Sequence, residues 1–475
     1  MTKYLDPLDS AFVLLEVPGT AMNIGAVIEL DFGGVADPKE RFELIRQNVA
    51  DRIHEIPVLS QRIVRAPFDL TWPAFVEDER FDLDRHVSRV ALPSPGSPDQ
   101  FDELISEFLS RPLVPTRPLW QLLVIEGLAD GRAAAALKVH HALADGVSGA
   151  ETFASLFDIS PDVRPPLPKG AGSSDVHATS PWGLVADGLR RFRARPQRAV
   201  ENVSSWVVRL AEIVQTVVRV VMVRGRQRST PDQPSIFQAR RTSLNGAPGI
   251  EKTYHRTRVP LADAKRAAKR HGASVTDFVM TVTSGALRRL LEDRGEVLKR
   301  DLIAFVPINV RAQGDANLGN QISGMLVALH TELVDPVERL MAIASDSAKT
   351  VGVHGDSRAQ MFQNMPRAVG PLLLSAGGKL AAAFGLFDLL PPMANLMVSS
   401  VPGPPVPLWL SGHRVVSAAP VGPLLGSLSL NVTVLGFEEN LEFGMLGSAE
   451  TMPDLSTLRD YVYEEARALI DTANE

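Results

Sequence analysis

The 475-residue chain contains no cysteine, which excludes disulfides, thiolate nucleophiles and zinc–thiolate sites. It also lacks a strong net charge: the formal charge at pH 7 is -6, so the sequence predicts no overall basic field and no nucleic-acid partner. The N-terminus has neither the basic nor the apolar region of a secretory signal peptide, which predicts a cytoplasmic protein.

Several motifs for other kinds of chemistry are missing as well. The chain has no Gly-x-Ser-x-Gly elbow, no Walker lysine motif, and no His-x-x-x-His or Glu-x-x-His spacing. The sequence therefore predicts neither a resident metal nor a bound cofactor. The longest uncharged run, residues 389–413, is long enough to span a bilayer but holds six prolines, so it predicts loops and short strands.

The pattern along the chain predicts an α/β protein in three parts. Residues 1–160 mix strand-like segments such as 23–30 with helical ones such as 101–110. Residues 161–235 begin with a Pro/Gly/Ser-rich linker and continue as a basic segment. Residues 236–475 resume the mixed pattern, with a helix over 275–291 and a strand over 302–306.

The basic segment predicts a long amphipathic crossover helix, because its apolar residues recur at helical spacing and its arginines occupy the other face. The apolar stripe consists of Trp206, Leu210, Ile213, Val217, Val221 and Met222. One interpretation is a helix packed between two domains, and the other is a helix that contacts a membrane or lipid-droplet surface. Both interpretations can hold together.

The chemical signal lies where a predicted strand, residues 133–139, ends in His140-His141-Ala142-Leu143-Ala144-Asp145-Gly146 and a helix begins near Val147. Adjacent strand residues point to opposite faces, so one histidine should be chemical and the other structural. A neutral imidazole takes a proton from a hydroxyl that attacks an acyl carbonyl. Asp145 either holds the imidazole tautomer or fixes the turn through an arginine.

Three blocks around this motif resemble the bacterial wax ester synthase/diacylglycerol acyltransferase family. The blocks are Arg117-Pro118-Leu119-Trp120, Ile125-Glu126-Gly127-Leu128 and Lys138-Val139 with the histidine motif. Shorter matches run in the family's order from Pro7-Leu8-Asp9, with Phe12 and Met22, to Val401-Pro402-Gly403-Pro404. The resemblance implies two chloramphenicol-acetyltransferase-like domains joined by a helical crossover, with a substrate tunnel between them.

The resemblance also implies the roles of the site residues. His141 is the expected base, in a motif completed by His140, Asp145 and Gly146, with Asp145 structural and paired with Arg311. Pro118, Leu119 and Trp120 are expected to shape the substrate channel. The remaining positions expected to bind substrate or support the site are Thr276, Asp277, Arg311, Asn320 and Ser400.

The chain departs from the family pattern at several positions. Thr276 and Ser400 stand where the family usually has asparagine, and His330 stands where a proline is usual. A hydroxyl has shorter reach than an amide, which questions substrate positioning by Thr276 and Ser400. The alternative is that Ser274 and Asp277 only cap a helix.

The predicted function is transfer of a long-chain acyl group from acyl-CoA, as co-substrate, to diacylglycerol or a long-chain alcohol. The expected location is the cytoplasm, peripherally on the inner membrane face or on lipid inclusions. Two alternatives stay open: a lipid-binding or droplet-coating protein with weakened catalysis, and another condensing acyltransferase with the same histidine motif.

Overall fold

The protein is described from a computed structural model. The structure describes residues 2–17, 19–143, 154–167, 180–194, 239–297, 300–309, 322–351, 369–383, 391–404 and 406–473. Within these ranges the strands are β1 Lys3–Tyr4, β2 Asn23–Asp31, β3 Gln61–Val64, β4 Ala74–Glu77, β5 Val87–Ala91, β6 Trp120–Glu126, β7 Ala133–His140, β8 Lys252–Pro260, β9 Ile303–Asn309, β10 Ile322–Ala328, β11 Leu396–Val401, β12 Trp409–Leu410, β13 His413–Val421, β14 Leu430–Phe437 and β15 Asn440–Ser448.

The described α-helices are α1 Pro7–Leu14, α2 Pro38–Arg52, α3 Pro98–Ser110, α4 Pro181–Ala194, α5 Leu261–Arg270, α6 Val275–Asp293, α7 Pro336–Val351, α8 Pro371–Ala383 and α9 Leu455–Asp471. Ser97 caps the N-terminus of α3. Its hydroxyl accepts from the Gln100 backbone N–H, while the Gln100 side chain accepts from the Ser97 N–H. No described helix has both the length and the apolar character needed to cross a membrane.

The described strands form two six-stranded sheets and one small sheet. The first sheet has the order β12-β13-β2-β7-β6-β5, and its neighbours are antiparallel except for β5 with β6. The second has the order β10-β9-β11-β14-β15-β8, in which β11 runs parallel to both neighbours. β12 and β13 come late in the chain and join the first sheet, so the sheets interleave along the sequence.

The structure confirms the α/β class and most of the predicted elements. β2, α3, β7, α6 and β9 stand where the strand and helix patterns predicted them, within a few residues at each end. The uncharged, proline-rich run forms β11, β12 and the start of β13, with no helix in its described residues. The division at 160 and 235 stays a prediction, as does the crossover helix, whose apolar stripe lies outside the described residues.

The two large sheets are held together by a shared core. A buried apolar cluster combines Val27 and Ile125 of the first sheet, Phe101 and Ile105 of α3, and Tyr254 of the second sheet. The Tyr254 hydroxyl donates to the Pro420 carbonyl oxygen over 3.1 Å. The core between the sheets is closely packed, so it resists their separation. It thereby supports the strand that carries the histidine pair.

Candidate active site

The histidine pair lies at the end of a central strand. β7 ends at His140, which pairs with Asn23 of β2, and His141 begins a short 3-10 helix, His141–Leu143. The His141 backbone N–H donates to the Met22 carbonyl oxygen over 2.7 Å. The chain therefore leaves strand geometry between the two histidines, and the predicted strand-to-turn change is confirmed at this point.

His140 fixes the turn. Only 2 % of this residue is exposed, and its Nδ1 accepts the Ala142 backbone N–H over 3.1 Å. In the neutral ring the proton is therefore on Nε2, which lies 3.4 Å from a carboxylate oxygen of Glu16. These contacts hold His140 in the turn, while the division of chemical and structural roles within the pair stays a prediction.

His141 is a half-buried imidazole held against an aromatic ring. Its ring centroid lies 4.3 Å from that of Phe12 on α1, and its buried Nδ1 has no hydrogen-bond partner among the described residues. Burial, together with a smaller effect of the neighbouring His140, lowers the pKa of His141 to about 4. The imidazole is consequently neutral at pH 7 and able to accept a proton.

The Pro118-Leu119-Trp120 block supports the histidine pair through the backbone. The Leu119 carbonyl oxygen accepts the His140 N–H over 2.9 Å. The Trp120 side chain is buried, donates from Nε1 to the Leu59 carbonyl over 2.7 Å, and stacks on His86 with centroids 4.6 Å apart. Trp120 is thus a core residue, and its expected part in the substrate channel stays a prediction.

Three of the positions expected to bind substrate, Thr276, Asp277 and Ser400, lie in the second half of the chain, on α6 and β11. Ser274 and Asp277 form a complete capping box at the start of α6, with the Ser274 N–H donating to Asp277 over 2.8 Å. Half-buried Thr276 follows inside the first turn, and half-buried Ser400 lies on β11 opposite Val434. The capping role of Ser274 and Asp277 is confirmed, while substrate contacts by Thr276, Asp277 and Ser400 stay predictions.

Four predicted site residues fall outside the described residues. They are Asp145, Gly146, Arg311 and Asn320. The expected pairing of Asp145 with Arg311, and the helix expected from Val147, also lie outside them.

The sequence interpretation missed Glu16. This acid follows α1 and lies 124 positions before the histidine that its carboxylate approaches, so no local spacing connects the two. The only signal was the short N-terminal match around Phe12 and Met22, two residues that the structure does place against His141.

A histidine pair at the end of a central strand, on one of two sheets joined by a shared core, belongs here to a protein of the acyltransferase class. The chain belongs to the wax ester synthase/diacylglycerol acyltransferase family and is an acyl-CoA-dependent O-acyltransferase. Residues 5–279 match the model of the family's catalytic domain, and residues 318–469 match its C-terminal domain.

Relatives and solved structures match along nearly the whole chain. A Mycobacterium tuberculosis protein named as diacylglycerol O-acyltransferase Rv1760 is 31% identical, with 99% of this chain and 91% of that protein covered. Another from the same organism, named tgs1, is 29% identical over 98% of this chain and 96% of that protein.

Two solved structures confirm the predicted fold of two chloramphenicol-acetyltransferase-like units. The wax ester synthase/diacylglycerol acyltransferase of Marinobacter aquaeolei matches with a TM-score of 0.68 at 23% identity, covering 100% of both chains. The first condensation domain of the CDA synthetase matches with a TM-score of 0.54 at 18% identity, covering 100% of this chain and 97% of that one.

Proposed function

We propose that His141 is the general base of a direct acyl transfer from acyl-CoA to the hydroxyl of diacylglycerol or a long-chain alcohol. The observation that carries this proposal is the neutral, half-buried imidazole at the end of β7. The acceptor oxygen forms a bond with the thioester carbonyl carbon as its proton moves to His141. Collapse of the intermediate breaks the C–S bond, and the imidazolium returns the proton to the CoA thiolate.

The lowered pKa suits the second half of this cycle. An imidazolium that burial disfavours is a stronger acid than an exposed one, so it gives its proton readily to the departing sulfur. Since Nδ1 is buried, the exchanging atom in this proposal is Nε2. With no cysteine in the chain and the histidine as base, both substrates would be bound together, without a covalent acyl-enzyme.

The proposed acceptors come from the relatives, which carry the name diacylglycerol O-acyltransferase, and from the family's second activity, wax ester synthesis. A condensing enzyme that takes carrier-bound thioesters is the second enzymatic candidate. The Pro118-Leu119-Trp120 block and the Val401-Pro402-Gly403-Pro404 segment argue against it.

The test is release of the CoA thiol from palmitoyl-CoA by purified protein, with diacylglycerol, hexadecanol or no acceptor. We expect acceptor-dependent release that His141→Ala reduces by at least about 100-fold, the lower range for loss of a general base. His54→Ala, a matched change at another half-buried histidine, should leave the rate unchanged. Equal rates in wild type and His141→Ala would contradict the proposal, and lipid binding without release would favour the coat-protein alternative.

Peripheral binding to a membrane or lipid inclusion is the second part of the proposal. The turn at 67–70, α4 and α8 are neighbours: the Ser375 hydroxyl of α8 donates to Asp69 over 2.6 Å, and Gly188 of α4 approaches Thr71. These elements expose large apolar side chains, which we infer to form one apolar patch: Phe68, Leu70, Trp182, Leu189, Leu372 and Leu380. Exposed basic residues border it: Arg190, Arg191, Arg193 and Lys379.

An apolar patch with a basic border matches an anionic lipid surface, because the apolar groups enter the interface while the cations contact head groups. Acceptors that are scarcely soluble in water would then reach the enzyme from the same surface. The patch supports contact with a membrane or lipid droplet, one of the two interpretations of the basic segment. This support does not depend on the helix predicted beyond residue 194.

Vesicle sedimentation tests the patch. The double substitution Phe68→Asn with Trp182→Ser should reduce binding to all vesicles, and Asn is chosen because residue 68 has a left-handed φ of 55°. Replacing Arg191, Arg193 and Arg195 with glutamine should reduce binding to anionic vesicles alone. Ile250→Ser, an exposed apolar residue elsewhere, is the control. Unchanged sedimentation of both patch variants would exclude this surface.

A further inference from the structure

A histidine and three carboxylates meet where β10 leads into α7. His330 Nδ1 lies 3.7 Å from Asp301 Oδ2 and 3.6 Å from Glu332 Oε1. On the other side of the ring, His330 Nε2 lies 2.9 Å from Asp346 Oδ2. The cluster belongs to the second sheet, whereas the histidine pair of the active site belongs to the first.

The two nitrogens of the His330 ring make different kinds of contact. The contact with Asp346 has hydrogen-bond length, while the separations from Asp301 and Glu332 are too long for N–H···O bonds. Two donors about 2.0–2.1 Å from one zinc ion stand about 3.4 Å apart in a tetrahedron. The separations of Nδ1 from the two carboxylate oxygens are within a few tenths of an ångström of that value. The ligand atoms of Asp301, His330 and Glu332 all lie within 4.8 Å of one another.

The surrounding contacts prepare these groups for a cation. The Asp346 carboxylate accepts a hydrogen bond from Nε2, so the opposite ring nitrogen, Nδ1, is the one that faces Asp301 and Glu332. A carboxylate behind a metal-binding histidine is the usual way to orient the ring. The Thr331 hydroxyl, 3.4 Å from Asp301 Oδ1, supports the second acid.

The backbone around the cluster is rigid. Leu302 and Leu329 are buried, and the Leu329 N–H donates to the Leu302 carbonyl over 2.9 Å. The Ser284 hydroxyl of α6 holds the Leu329 carbonyl over 2.6 Å. His330 itself has a φ of 48°, a left-handed conformation that non-glycine residues seldom adopt outside over-determined sites.

We propose that Asp301, His330 and Glu332 bind a divalent zinc-type ion, with Asp346 as the positioning residue that orients His330. Imidazole and carboxylate donors suit Zn²⁺ and Co²⁺ better than Mg²⁺, which demands six oxygen ligands. Glu332 is exposed and the other two ligands are half-buried, so solvent supplies the fourth ligand. The ion ties the start of β9 to the β10–α7 connection, which gives it a structural role.

The experiment uses tag-free full-length protein freed of metal by a chelator. Zn²⁺ affinity is measured by competition with a chromophoric chelator, and Co²⁺ is added as a spectroscopic probe of tetrahedral geometry. We expect about one ion per chain, and an affinity that falls by at least about tenfold in His330→Asn, Glu332→Gln and Asp346→Asn. Asparagine tolerates the left-handed backbone at residue 330. His54→Asn should bind as the wild type does.

Thermal unfolding gives a second readout. Saturating Zn²⁺ should raise the Tm of the wild type and of His54→Asn by at least about 2 °C and leave His330→Asn unchanged. If His330→Asn fails to fold, the exposed Glu332→Gln decides the question alone. Equal Zn²⁺ affinity in the wild type and in Glu332→Gln, or no stoichiometric binding, would overturn the site and leave His330 as an ion-paired histidine.

Discussion

His141 is neutral because of where its ring lies. Burial between the strand end and Phe12 disfavours the charged form more than any other effect, and a second histidine next to it adds to the cost. The same burial isolates Nδ1 from the described donors and acceptors. The residue therefore stays a proton acceptor across a wider pH range than a surface histidine.

This burial predicts an unusual pH profile. The acid limb of kcat, which reports groups in the enzyme–substrate complex, should lie well below 6.5 and toward 4. The measurement is CoA release at saturating substrates from pH 4.5 to 8. An acid limb centred near 6.5 would mean that the imidazole is hydrated in the complex.

The stability of the fold should also depend on the protonation of His141. The unfolded chain protonates His141 near pH 6.5 and the folded chain only near 4, so the unfolded state binds more protons between these values. The contribution of this residue to stability is therefore complete above pH 6.5 and is lost as the pH falls from 6.5 toward 4. His141→Gln should show a smaller decrease in Tm than the wild type between pH 7 and 4.5. A parallel decrease in both proteins would contradict this assignment.

At the scale of elements, β2 and β7 position the histidines because they lie unusually close together at Gly25. A Cβ added there would meet the Leu137 carbonyl oxygen at 1.8 Å, and a backbone atom in a central strand cannot move aside. Gly25 lies two residues from Asn23, the partner of His140. The glycine thus permits the close pairing that fixes the turn with the histidine pair.

Gly25→Ala should therefore destabilise the chain by about 1–3 kcal/mol and lower CoA release together. Chemical unfolding and the activity assay, run side by side, measure both effects. Gly34→Ala is the matched control, because no atom lies within 4 Å of its added Cβ. Wild-type stability in Gly25→Ala would show that the strands separate more easily than their packing suggests.

At the same scale, α6 carries one of the departures from the family pattern, Thr276. Its first turn is stabilised by reciprocal hydrogen bonds between Ser274 and Asp277, as in an ordinary capping box, while Asp277 Oδ1 is buried without a partner among the described residues. Thr276 has no part in that box. Replacement of the family's usual asparagine by Thr276 is consequently compatible with a well-formed helix.

At the scale of the molecule, a buried ionic network joins the two sheets. Arg256 of β8 pairs with Glu29 of β2 and lies 3.4 Å from Asp102 of α3, which also contacts His255 at 3.1 Å. Glu29 is buried, which by itself would raise its pKa, but Arg256 and Arg132 hold that pKa below its usual value. The charges thus fix how the two halves of the fold meet.

Removing the Arg256 guanidinium should lower the free energy of unfolding, because the buried acids Glu29 and Asp102 each lose a cationic partner. We expect Arg256→Met to destabilise the chain by about 3 kcal/mol, with partial recovery on adding Glu29→Gln, since coupled substitutions are not additive. Urea unfolding of the two single variants and the double variant measures the coupling. Strict additivity would mean that Arg256 and Glu29 act independently.

The sequence by itself determined the α/β class, the main strands and helices, and the place of the histidine motif at the end of a strand. These depend on local information: hydrophobic periodicity, capping residues, and a short motif that lies within one strand and one turn. The family resemblance then supplied the fold and the acyltransferase activity.

Only the tertiary structure decided which histidine fixes the turn, how burial sets the pKa of His141, and which distant residues approach the pair. Glu16 and His140 are far apart in sequence, β13 crosses to the first sheet, and Asp301, His330, Glu332 and Asp346 meet across a strand, a loop and a helix. Such proximities arise from strand order and from the packing of sheets against helices. Spacing along the chain carries no record of them, because burial and charge act through space.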